Sequence, residues 1–428
     1  MKRFFLTIVA AIVLVPVTVL GIQYLHDPGS NEPGIPAANA AQQVARGNYL
    51  AHAGDCMACH TARGGMPYSG GRVVPTSFGN FYTPNITPDI TTGIGSWTAN
   101  DFWRALHNGK SKDGRFLYPV FPYTEYTKIT RADADAMFAY FKTLPPINQP
   151  NKEHELRFPY NQRILLAGWR ALYFRPGVYQ TDTRQTAEWN RGAYFVQGLG
   201  HCTACHTNRN AFGATEQGSV LAGGLIPILG WYAPSLTSDA EAGLGNWDKQ
   251  HIVDLLKTGV SPRGTVFGPM AEVVQHSLQY LSDQDVTAMA GYLKSLPQTA
   301  TPVASMELQV KDGQAEDVLQ LGAKLYRDQC IECHKANGSG IPPAYPPLAG
   351  NRAITMASSI NPIRMVLSGG YPPSTQGNPR PYGMQPYGPV LSDAEVAAVV
   401  SYVRNSWGNS APLVSPIQVS RYRAVPGD

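Results

Sequence analysis

Cys56-Met57-Ala58-Cys59-His60, Cys202-Thr203-Ala204-Cys205-His206 and Cys330-Ile331-Glu332-Cys333-His334 hold all six cysteines of the chain. One C-x-x-C pair alone leaves zinc, a redox disulfide or haem open. Three C-x-x-C-H pentapeptides with no cysteine left over point to covalent c-type haem. Two thiols form thioethers to the porphyrin vinyl groups, and the adjacent imidazole is placed to bind iron from one face. Zinc is the poorer reading, because no further thiol or histidine cluster accompanies any pair to complete a tetrahedral shell. The expected cofactors are therefore three haem c groups on Cys56, Cys59, Cys202, Cys205, Cys330 and Cys333. His60, His206 and His334 are the expected proximal iron ligands.

Haem attachment of this kind follows export in bacteria, which places the soluble part on the periplasmic side. The amino terminus supplies the signal. Lys2 and Arg3 precede an uncharged apolar stretch over 4–25, and about 20 residues suffice to span a bilayer. The positive pair would hold the tip in the cytoplasm. Ala38-Asn39-Ala40 has the look of a cleavage site but lies far downstream of the apolar run. The reading favours a retained anchor within residues 1–26 at the inner membrane over a cleaved signal.

Composition agrees with a chain of small helical modules. Its 428 residues suggest about three domains. Charged residues make up only 15% against a usual ~25%, while 42 glycines and 35 prolines imply short helices between long, shaped loops. The formal charge of +4 is small and evenly spread, so no nucleic-acid partner is expected. Three haems with their propionates would turn even that balance negative.

A longer repeat surrounds each attachment motif. Arg46-Gly47-Asn48-Tyr49-Leu50, Arg191-Gly192-Ala193-Tyr194-Phe195 and Gly322-Ala323-Lys324-Leu325-Tyr326 precede the three motifs. Closing helices are expected over 133–144, 283–296 and 393–404, with Thr130, Ser282 and Ser392 as N-caps. Each carries a tyrosine at a matched place: Tyr140, Tyr292 and Tyr402. A glycine on one helix facing an aromatic on another suits a close crossing. Pro84-Asn85-Ile86-Thr87 parallels Pro234-Ser235-Leu236-Thr237, and Gly109 and Gly259 read as C-caps of middle helices. Trp97 and Trp247 read as core aromatics. The expected domains are 41–150, 183–298 and 315–408, with linkers at 151–182 and 299–314; the first linker is expected to wrap a domain or meet a partner.

The sixth iron ligand should lie in the loop before each closing helix, where methionine thioether favours reduced iron. Met270 and Met384 stand there in the second and third repeats. In the first repeat the loop reads Tyr118-Pro119-Val120-Phe121-Pro122-Tyr123, and Phe121 cannot bind iron. His107 is a candidate replacement, with Met66 and Met137 less well placed, and an open sixth position is the alternative. Because His107 aligns with Lys257, a surface location is expected for it. The first haem should therefore differ in potential or spin state from the others.

These residues together resemble the three-haem cytochrome c subunits of bacterial membrane-bound alcohol, aldehyde, gluconate, sorbitol and fructose dehydrogenases. The likeness extends over nearly the whole length after the anchor. Its most specific stretches are 187–194, 198–202 and 401–408. It implies a mainly α fold of three tandem cytochrome c domains with long loops, preceded by one N-terminal membrane helix. It implies an electron-transfer subunit without a catalytic residue of its own. A separate dehydrogenase subunit would oxidise an aldehyde or alcohol, and the haems would pass electrons to ubiquinone or the respiratory chain. Phe121 and Leu172-Tyr173-Phe174-Arg175-Pro176-Gly177 look more like the branch that accompanies molybdenum-hydroxylase-type dehydrogenases than quinoprotein or flavoprotein ones. A small iron–sulfur or chaperone-like subunit is a further implied partner. Two rival functions stay open: a cytochrome feeding a terminal oxidase, and a multihaem peroxidase using an open first haem. No phosphate cradle, nucleophile elbow or dinucleotide fingerprint is present.

Overall fold

A glycine without a side chain lets two helices cross almost backbone to backbone, and the chain uses that device three times. In the computed structural model, which describes residues 2–29, 39–226, 228–239, 242–299 and 314–425, the opening helices are Ala40–Ala53, Ala187–Tyr194 and Gln314–Gln329. The closing helices are Arg131–Phe141, Asp283–Ser295 and Asp393–Arg404. A Cβ on Gly47 would run into the Ala136 carbonyl and lie 2.8 Å from Tyr140 Cβ. Gly192 meets Ala288 and Tyr292 in the same way, and Gly322 meets Ala398 and Tyr402. The expected glycine–tyrosine crossing is thus present in each repeat. Gly47→Ala is expected to destabilise the first domain by about 1–3 kcal/mol through overpacking, measured as a lower unfolding temperature of the first haem's dichroism. An unchanged midpoint would show that the crossing can relax.

The caps hold as expected. Thr130 Oγ1, Ser282 Oγ and Ser392 Oγ accept from the backbone N–H three residues on, at 3.3, 3.1 and 3.3 Å. Ser392 and Glu395 complete a capping box. The first closing helix ends at Phe141, before the expected Leu144, because Pro145 and Pro146 follow. Arg46 pairs with Asp133 through Nε at 2.7 Å, and Arg191 pairs with Asp285 at the same distance. Each ion pair ties the residue before the crossing glycine to the first turn of the closing helix.

The chain divides into two compact units. One comprises 1–184, 194–201 and 210–214; the other comprises 185–193, 202–209 and 215–428. In the first unit, residues 151–182 form part of the first domain. Glu155–Leu156 adds a third antiparallel strand beside Gly79–Tyr82, which itself pairs with Val73–Thr76. The helix Leu166–Tyr173 follows. Arg170 is buried among the rings of Phe116, Tyr123 and Phe174, with its guanidinium carbon 4.8 Å from the Phe174 ring centre. In the second unit the second and third domains are joined directly. Tyr232 N donates to Asn361 Oδ1 at 2.9 Å, and Asn361 Nδ2 returns a bond to Tyr232 O at 2.8 Å. The third core continues past 408, the end expected for this domain: Val414 and Val419 are buried in it, and the capped helix Pro416–Arg423 packs there. Of the linker expected at 299–314, residues 300–313 lie outside the described residues.

The helix Lys2–Leu25 is 24 residues long. Among the described residues no helix is long and apolar enough to cross a membrane, so the span expected over 4–25 rests on the sequence alone. The last turns of this helix belong to the first unit. The Tyr24 ring lies 4.4 Å from that of Phe116, Arg170 Nε donates to Gln23 Oε1 at 3.1 Å, and Lys110 Nζ is paired with Asp27. Asn39, the centre of the cleavage-like triplet, caps the first opening helix by accepting from Ala41 N and Gln42 N.

Candidate haem-attachment sites

Each C-x-x-C-H segment forms a single short helical turn: Cys56–His60, Thr203–His206 and Ile331–His334. The turn brings two thiols and an imidazole together at the end of the opening helix. None of the six cysteines is in a disulfide. Burial raises the Cys56 thiol pKa, with Asp55 and Cys59 adding to it, and pushes that of Cys330 up to about 11. Among the described residues no group of three or more His, Cys, Asp and Glu could hold a metal ion.

The three histidines share one hydrogen bond. His60 Nδ1 lies 2.8 Å from Pro84 O, His206 Nδ1 lies 2.7 Å from Pro234 O, and His334 Nδ1 lies 3.1 Å from Pro346 O. A carbonyl only accepts, so Nδ1 must carry the proton and Nε2 keeps its lone pair. That is the tautomer a metal-binding imidazole needs, with the second-shell partner that fixes the ring. Burial also favours the neutral ring: it lowers the pKa of His60 and His334 and brings that of His206 down to about 4. The residues therefore fit the group on chemistry and orientation alike.

The proline repeat had no assigned role in the sequence, and the structure supplies it. A glycine between each histidine and its proline closes the loop. Gly70 N donates to His60 O, Gly223 N to His206 O and Gly340 N to His334 O, at 2.8, 3.0 and 3.1 Å. All three have positive φ, at 78, 98 and 65°, where a side chain would be strained. A Cβ on Gly70 would sit 2.5 Å from the Pro84 carbonyl carbon. The repeat of Pro84 and Pro234 was the available signal; the matched glycines carried no local one.

Arg352, from the third domain, reaches the proximal loop of the second. Its Nη1 donates to Ser235 O at 2.9 Å and to Ala242 O at 3.1 Å, beside the Trp247 ring. Burial lowers its pKa to about 10, and its charge adds to the lowering at His206. Trp247 is a core residue as expected, whereas Trp97 is only half-buried.

Met270 sits at the start of the helix Pro269–His276, after Gly268, which turns against the Trp231 ring. Met384 pairs with Gly370 through two backbone bonds of 2.8 and 2.9 Å. Both lie in the segment that leads to a closing helix. His107 is not at the surface: it is 3% exposed, stacks on Trp103 at 4.3 Å, and places Nδ1 3.0 Å from Thr127 O. The alignment with Lys257 holds in one respect, since Lys257 Nζ also bonds a backbone carbonyl just before a closing helix, that of Leu281. The His107 ring is covered by Trp103, whose Nε1 donates to Gly29 O at 2.8 Å, whereas Lys257 keeps 26% of its side chain exposed.

The cytochrome c family profile matches residues 44–145, 191–297 and 319–407. The chain is 40% identical to the gluconate 2-dehydrogenase cytochrome c subunit of Pantoea cypripedii, covering 86% of each chain. It is 39% identical to the cytochrome c subunit of the quinone alcohol dehydrogenase of Gluconobacter oxydans, over 89% of this chain and 82% of that one. It is also 39% identical to a nicotinate dehydrogenase subunit of Pseudomonas putida, over 92% of this chain and 33% of that one. Matching at all three repeats and along nearly the whole length, the chain belongs to the cytochrome c family, among the dehydrogenase cytochrome c subunits, and carries three covalent haem c groups.

Proposed function

We propose that this chain receives electrons from a partner dehydrogenase that oxidises an aldehyde or alcohol and delivers them to ubiquinone or the respiratory chain. The observation that carries the reading is the threefold site: paired thiols, a histidine in the iron-binding tautomer, and a buried apolar core around each. Such sites cycle iron without needing a protein acid or base, so the chain's part is ligation, burial and potential. His60, His206 and His334 bind iron on one face, and Met270 and Met384 on the other.

The three relatives serve gluconate, alcohol and nicotinate dehydrogenases at nearly equal identity, so similarity does not rank the partners. Phe121 and residues 172–177 favour a molybdenum-hydroxylase-type catalytic subunit, with a small iron–sulfur or chaperone-like subunit beside it. The apolar helix Lys2–Leu25 anchors the chain at the inner membrane, with the haem domains on the periplasmic face. Phe4, Leu14, Val15, Val17 and Leu25 are exposed on it, as lipid contact would require.

Isolation of the complex from membranes tests the proposal. A molybdenum, quinone or flavin dehydrogenase should co-purify, and its substrate should reduce the haems before ubiquinone reoxidises them. Co-purification with a copper–haem oxidase instead, or peroxide turnover that vanishes on changing His60, would overturn it.

A further inference from the structure

The first and second domains place their distal loops by the same backbone bond. Each middle helix ends at a glycine of positive φ, Gly109 or Gly259. Leu117 N donates to Gly109 O at 2.8 Å, and Val266 N donates to Gly259 O at 2.9 Å. Four residues beyond each of these donors stand Phe121 and Met270. The backbone therefore puts a benzyl ring where the second domain has a thioether. Phe121 packs beside a residue that reaches the attachment segment: its ring lies 5.4 Å from that of Tyr126, whose hydroxyl donates to Gly54 O, two residues before Cys56, at 2.7 Å.

The donors that could take over are held elsewhere. Met137 is buried in the closing helix at the place of Met289, which coexists with Met270 in the second domain. Met66 lies in the proximal loop between His60 and Pro84. It lines an apolar groove with Tyr140 and Leu144, at the far end of a closing helix about 16 Å long. His154 Nδ1 accepts from Tyr82 N at 3.2 Å, which puts its proton on Nε2, the wrong tautomer for ligation. His107 bonds Thr127 O through Nδ1, which leaves Nε2 its lone pair, but the ring is stacked on Trp103 and tied to the segment that enters the closing helix, as Lys257 is tied there. The added helix Leu166–Tyr173 then clamps the loop: Tyr123, two residues after Phe121, is fully buried against Arg170 and Phe174.

We propose that the sixth position of the first haem is a binding site for a neutral diatomic ligand, carbon monoxide or nitric oxide, on ferrous iron. The ligand's lone pair forms the new coordinate bond; no other bond breaks and no electron is transferred. An apolar wall formed by Phe121 favours a neutral ligand over an anion, because a charge there would lose its hydration. This rests on the three-haem reading given above.

Carbon monoxide titration of the dithionite-reduced holoprotein is the test. One equivalent should bind per chain, while a pyridine haemochrome assay counts three haems. Phe121→Met should abolish binding and add a third methionine-ligated signature, and Phe121→Leu should keep binding. In the ferric wild type, magnetic spectra should show one high-spin haem among three. Three low-spin haems, no carbon monoxide uptake, uptake that survives Phe121→Met, or uptake that first appears in His107→Ala would each overturn the proposal. A haem count of zero would instead end the three-haem reading itself.

Discussion

Arg404→Ala is expected to destabilise the third domain by about 3–5 kcal/mol, seen as early loss of the third haem's dichroism in a denaturant titration. Arg404 is completely buried at the end of the third closing helix. Its Nη1 donates to Ile354 O and Met356 O at 2.8 and 2.9 Å, Nη2 to Ala357 O at 3.3 Å, and Nε to Pro412 O at 3.2 Å. One planar fork thus satisfies the carbonyls of two loops. Without it, four acceptors lose their donor in a dry interior, each costing on the order of 1–3 kcal/mol before any water enters. Lysine cannot span the same set, so Arg404→Lys should recover only part of the loss. A midpoint within about 1 kcal/mol of wild type for Arg404→Ala would show that the carbonyls rehydrate freely.

Met270→Ala is expected to lower the potential of the second haem by on the order of 100–200 mV, within the range that axial ligands control. The soft thioether favours ferrous iron, and removing it leaves water or nothing in its place. The two other haems should keep their potentials, which makes a redox titration followed by optical spectra the right readout. The buried Arg352 charge near His206 should remain in the variant, so the fall measures ligation rather than the local field. Three unshifted potentials would show that Met270 does not bind iron.

Legibility differed from one site residue to the next. The proximal histidines could be read directly, since each follows its cysteine pair without a gap. The crossing glycines were legible as a repeat, because a close helix approach leaves one residue type and one matched partner. Arg46 and Arg191 were visible beside those glycines, yet nothing local announced that they pair with Asp133 and Asp285 some ninety positions away. His107 is hidden for a related reason: it aligns with the partly exposed Lys257, but the Trp103 ring stacks over it. The added segment 151–182 had no repeat to compare with. Its strand and helix are seen only once they have docked on the first domain.

Covalent chemistry at contiguous residues is legible in the sequence itself: three haems and their six thioether cysteines, each pair followed by the histidine proposed to bind iron, because attachment needs those atoms within one short turn. Tertiary structure alone decided how each imidazole is oriented. The proline carbonyls, the closing glycines and the arginine from a neighbouring domain come from distant stretches of chain, and only packing brings a hydrogen-bond acceptor or a charge to within 3 Å or so of its partner. The same division explains Phe121. The residue type carries the proposal that iron lacks a ligand there, while the matched backbone bonds from Leu117 to Gly109 and from Val266 to Gly259 support placing Phe121 opposite Met270.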